Sequence, residues 1–107
     1  TFDIILSKGI DFNINELQRE YGDLSQNYPN PFNQQTKLFL VLNKDANTKI
    51  EIYNQEGKLA HQLLNQKMPK GRYELNWDTS KFANGIYSAI WFVDDKLVKS
   101  IKMIKQN

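Results

Sequence analysis

Apolar residues recur at every second position through most of this chain, and that period restricts it to strands. In "TKIEIY" (48–53), Ile50 and Ile52 alternate with Lys49 and Glu51. In "GRYELNW" (71–77), Tyr73, Leu75 and Trp77 share one face, and Arg72, Glu74 and Asn76 share the other. "KLFLVL" (37–42) sets Leu38, Leu40 and Leu42 toward a core and turns Phe39 and Val41 outward. "GIYSAIWFV" (85–93) is nearly continuous in apolar character, which predicts a central strand covered on both sides. "KLVKSIKMIK" (96–105) predicts a last strand with Lys99, Lys102 and Lys105 spaced along it. Turn signals separate these runs: "NKDAN" (43–47), "NQEGK" (54–58), "MPKG" (68–71), "FANG" (82–85) and "VDDK" (93–96). Short strands at this spacing, without a long helical period, predict an all-β, antiparallel, immunoglobulin-like sandwich of about seven strands.

The N-terminal region differs. "FDIIL" and "IDFNI" flank "SKG" as a short hairpin would, with Gly9 at the turn. "INELQREYG" (14–22) is the one helical stretch, with Asn15 as its N-cap and Gly22 as its stop. "ELQREYGDLSQN" (16–27) reads as a polar, exposed connector. "SQNYPNPFNQQT" (25–36) then places two prolines and three asparagines before the first well-formed strand. Pro29 and Pro31 fix their own φ and push Tyr28 and Asn30 toward extended geometry. This predicts a stiff, extended lead-in with Tyr28 and Phe32 anchored on the sandwich. Asn27, Asn30 and Asn33 are expected to close local turns onto the backbone.

A chain of 107 residues suits one domain. With 14 Lys+Arg against 12 Asp+Glu, its charge of +2 gives no field that would point to nucleic acid. The absence of cysteine excludes disulfides and thiolate chemistry. No apolar run reaches bilayer length, and "TFDIILSKG" lacks the basic and long apolar regions of a signal peptide. Thr1 is not a natural start, so the sequence reads as a piece of a longer chain. His61, in the strand-like "LAHQLL", has no nucleophile or metal-ligand spacing around it. Asp94 and Asp95 suit a hairpin turn better than a calcium loop. Trp77, Trp91, Tyr73 and Tyr87 suit core packing better than a sugar-stacking platform. No catalytic constellation, metal site or cofactor site is expected.

Five motifs in one order carry a resemblance: "LSQNYPNPFNQQTKLFLVL", "IEIYNQEGKL", "GRYELNWD", "FANGIY" and the terminal "KMIKQN". Together they resemble a type A C-terminal sorting domain of the type IX secretion system, and the related immunoglobulin-like domain of flagellar hook-capping proteins. Tyr28 to Asn33 match the opening motif; Ile52, Tyr53 and Gly57 match the first hairpin. Gly71, Trp77 and Asp78 match the "G…WD" strand, Gly85 to Tyr87 the "GxY" element, and Lys102, Met103 and Lys105 the lysine-rich end. Gln34 departs from the pattern, as do the apolar Phe39 and Val41.

The resemblance implies a non-catalytic export label at the end of a cargo protein, occupying residues 24–107 behind an extension or connector at 1–23. Its expected partners are the secretion machinery, a surface sortase that removes the label, and anionic lipopolysaccharide that receives the cargo. The expected location is secreted or cell-surface, reached through the periplasm and outer membrane. The residues expected to be recognised are Tyr28, Pro29, Asn30, Pro31, Gly85, Tyr87, Lys99, Lys102 and Lys105. Removing residues 102–107 is expected to block export while leaving most of the fold, and cleavage is expected in or before 16–27. Residues 1–14 are expected to cover Phe39 and Val41, in the same chain or exchanged between two copies of a homodimer. Competing functions are an immunoglobulin-like spacer and a carbohydrate-binding module.

Overall fold

In "QTKLFLVL" the three leucines face a dry interior while Lys37, Phe39 and Val41 between them point outward, and this strand organises the first of two sheets. The computed structural model describes residues 16–106. Its elements are α1 (Glu16–Tyr21), β1 (Gly22–Leu24), β2 (Gln35–Leu42), β3 (Ala46–Asn54), β4 (Leu59–Met68), β5 (Gly71–Asp78), β6 (Gly85–Val93) and β7 (Lys96–Lys105). One sheet has the order β1-β2-β5 and the other β4-β3-β6-β7, with antiparallel neighbours throughout. The fold is an all-β, immunoglobulin-like sandwich, as the alternation predicts. It differs from the constant-type arrangement in one strand: β4 pairs with β3 in the second sheet instead of joining β5 in the first.

Leu24, Leu38, Leu40 and Leu42 from the first sheet meet Ile50, Ile52, Ala89, Trp91, Val93, Val98 and Met103 from the second. Each fully buried aliphatic or aromatic side chain in this layer contributes about 1.5–3 kcal/mol. Asp94 and Asp95 both have positive φ (50° and 65°), the backbone of a two-residue turn twisted to suit the β6–β7 hairpin. Asp95 also pairs with Lys49 at 3.4 Å.

Two elements depart from expectation. Among the described residues, β6 is covered on one face only: Tyr87, Ala89, Trp91 and Val93 are buried, whereas Ser88, Ile90 and Phe92 are half-buried and Ile86 is exposed. Its outward residues are apolar because they pair with one another across strands, Ile86 opposite Ile104 and Phe92 opposite Leu97. The Lys49 ammonium also lies 4.9 Å from the Phe92 ring centre. The supposed connector is likewise folded. Leu24 and Asn27 are buried, Asn43 N–H donates to Tyr21 O at 2.9 Å, and Lys44 pairs with Glu20 and lies over the Tyr21 ring. These contacts hold α1 against the β2–β3 turn.

Gly22 ends α1 and opens β1, so the 23/24 boundary falls inside that strand. Its φ is +129°, and a Cβ there would stand 1.8 Å from the Val41 carbonyl oxygen. Only glycine fits. Phe39 does face outward at 37% exposure, and Val41 is half-buried beside Gln18 and Arg19 of α1. The hairpin with Gly9, the Asn15 cap and the covering of this face by residues 1–14 lie outside the described residues.

Candidate recognition surface

Asn27 sets the shape of the opening loop. Its side-chain amide donates to Pro29 O at 3.1 Å and to Thr36 Oγ1 at 3.0 Å, and Thr36 Oγ1 donates to Pro29 O at 2.9 Å. Both side chains are buried, so this small polar knot satisfies itself without water. The peptide bonds preceding Pro29 and Pro31 are cis. Tyr28 still pairs with β2 through two 2.9 Å backbone bonds to Lys37. Phe32 then crosses to β7, where it forms a parallel bridge with Lys105. The segment therefore turns from one sheet to the other; it is not the extended lead-in its prolines suggest.

Two aromatic expectations separate here. Phe32 is anchored, 2% exposed, with its ring 5.8 Å from Trp77. Tyr28 is not: 73% of it meets solvent, because it shares the outward face of its β2 partner, the exposed Lys37. Behind Phe32, Trp77 packs against Phe82 at 5.2 Å and Tyr87 at 5.5 Å, with His61 stacked at 6.2 Å. Tyr87 Oη donates to Ala83 O at 2.6 Å, and burial pushes its phenol above the usual range, which keeps that proton in place. Trp77, Trp91 and Tyr87 are core residues, so they form no platform for a sugar.

The terminal strand closes the arrangement. Ile104 N–H donates to Asn30 Oδ1 at 2.9 Å, Phe32 N–H to Ile104 O at 2.9 Å, and Gln106 N–H to Phe32 O at 2.9 Å. Asn30 thus reaches the other end of the sequence and makes no local turn. Lys105 Nζ donates to Asn33 O at 2.7 Å, and Thr79 Oγ1 donates to the same oxygen at 3.3 Å. Lys105 is 5% exposed, so, unlike the exposed Lys102 on the same strand, it offers no surface of its own to a partner. Its register partner is Gly85, which lies against the Gln55 side chain.

Of the residues expected to be recognised, Tyr28, Pro29, Asn30, Pro31, Gly85, Tyr87, Lys102 and Lys105 converge on this end of the sandwich. Tyr28, Pro29, Asn30, Pro31 and Lys102 are exposed, whereas Tyr87 and Lys105 are buried behind them. Lys99 stands apart, paired with Asp23 at 2.8 Å where β1 meets β7. Asn27, Thr36 and Thr79 hold the loop without being among the residues expected to be recognised; Asn27 and Thr36 carry a signal as polar residues flanking the Pro-Asn-Pro run, whereas Thr79 is remote in sequence and carries none.

The matched family is the "Secretion system C-terminal sorting domain", whose sequence model covers residues 26–106. That span holds the opening loop, its polar knot and the strand that closes it. The chain belongs to this family. It is a type IX secretion sorting domain, which implies interaction with the type IX machinery and export across the outer membrane to a secreted or cell-surface location. No curated protein matches the chain. Among the described residues of the sorting domain, no cluster of three or more His, Cys, Asp or Glu is placed to hold a metal.

Proposed function

We propose that this sorting domain is a non-catalytic address label, recognised at the end where the opening loop meets the terminal strand. The observation that carries this reading is the convergence of motifs far apart in sequence, at 28–33, 85–87 and 102–105, on one end of the sandwich. Tyr28, Pro29, Asn30, Pro31 and Lys102 supply its exposed contacts. Gly85, Tyr87 and Lys105 act from beneath by placing them, and Lys99 acts at a distance by fixing β7 to β1. A surface sortase then separates label from cargo, and the cargo is joined to anionic lipopolysaccharide. Because α1 and β1 pack on the sandwich, the cut belongs before Glu16 and not within 16–27.

The experiment places residues 16–107 behind a signal peptide and a reporter, in a host with a type IX system and in the same host without one. Surface reporter in the first and periplasmic reporter in the second is the expected result. Periplasmic retention of an intact, folded fusion in both hosts refutes the sorting role. Mass spectrometry of the released label, in the parent protein, checks processing: an N-terminus at Glu16 or earlier is expected, and one anywhere beyond Glu16 contradicts the proposed cut.

A further inference from the structure

The second half of β7 has partners on both sides. β6 pairs with one edge, and residues 26–32 run along the other. Gln26 Nε2 donates to Lys102 O at 2.7 Å, and both backbone groups of Ile104 are taken up by Asn30 and Phe32. Gln106 N–H is used by Phe32 O. A partner that adds a strand to a sheet needs a row of free edge donors and acceptors. This edge offers no such row. The covering loop does not replace it, since Pro29 and Pro31 have no N–H. What protrudes instead is side chains: the Tyr28 ring, the two proline rings, Asn30 and Lys102.

We propose that the export machinery reads this end side-on, as one folded surface built from two segments, and not the terminal residues as an extended peptide. The inference rests on the sorting role proposed above and specifies its partner. That partner is a preformed protein surface with an apolar cleft for the Tyr28 and proline rings and carboxylates facing Lys102. An aromatic anchor with a nearby cation is a usual composition for such contacts.

The test uses two buried side chains that a partner cannot touch, Lys105 and Thr79. Lys105→Met and Thr79→Val each remove one donor to Asn33 O and leave every exposed residue unchanged. Full-length chains carrying them are expected to exchange the Ile104 and Gln106 amides about tenfold faster. β3 and β6 amides in the same spectra should stay protected, which reports that the sandwich is intact. Surface delivery of the fused reporter is expected to fall severalfold, and Thr79→Ser should restore it. The proposal is overturned by unchanged delivery despite faster exchange, or by unchanged exchange in both variants. It is equally overturned if a reporter ending in residues 100–107 alone is delivered as well as one carrying the whole domain. Failure of the unaltered domain to direct export strikes the sorting role instead, and the exchange arm still decides whether the loop is held closed.

Discussion

Lys105 sits where almost none of its surface reaches water, and its ammonium donates to the Asn33 carbonyl. Burying a charge is costly unless it is hydrogen-bonded, so its partner becomes structural. Lys105→Ala should lower unfolding free energy by about 1–3 kcal/mol, whereas Lys102→Ala, on an exposed side chain, should stay within about 0.5 kcal/mol. Urea midpoints compare the two. Their difference was hidden in sequence, because both lysines fit one spacing and only the crossing of the opening loop buries one of them. Gly22 is similar: its role as a helix stop was legible, but its approach to Val41 depends on tertiary packing. Gly22→Ala should cost about 3 kcal/mol or more, read as a lower urea midpoint. Asp78 gives a pH signature. The Ser80 backbone N–H, 3.0 Å from its carboxylate, holds its pKa below the usual value of 3.8. Its stabilisation is therefore complete above that unfolded value and is lost as pH falls through the folded one. Thermal midpoints measured between about pH 5 and pH 2 should fall less in Asp78→Asn than in the native chain.

In β2, β3 and β5 the strict alternation reports burial directly, so these strands are legible in the sequence. Where period and burial part company, the reading was incomplete. β6 looked doubly covered since its outward residues are apolar, but cross-strand pairing explains them without a second layer. β1 is three residues long, "GDL", and no period can show in so short a run. The opening loop was legible as stiff and strand-breaking, but the turn from one sheet to the other depends on Asn27, Thr36 and the distant Ile104. The terminal strand is not separable from the fold, contrary to the expectation that most of the fold survives loss of residues 102–107. Residues 102–107 include Met103, fully buried, and the partners of Asn30, Phe32 and Asn33. Removing them all should cost more than about 5 kcal/mol, on the order of the whole stability of a small domain. Lost export after that truncation reports unfolding as well as lost recognition, and circular dichroism of the truncated domain separates the two. Phe32→Ala offers a milder change, with an expected cost of about 3–5 kcal/mol at the same junction.

At the scale of the molecule, the opening segment pairs first with β2 and then with β7, so it ties the two sheets together on the side where β1 and β7 approach each other. A label built this way carries its own closure: the last strand is held by the segment that begins the family match. The sandwich class and the sorting family were legible in the sequence, since both rest on patterns along the chain. The recognition surface was legible only as a set of motifs, because its geometry comes from contacts between residues more than 70 positions apart, such as Asn30 with Ile104. Hydrogen exchange at the Ile104 and Gln106 amides in the isolated chain tests this closure most directly. If loop and terminal strand form one folded unit, both amides exchange as slowly as those of β3 and β6. Exchange at the rate of a free chain end, with β3 and β6 protected, would contradict it.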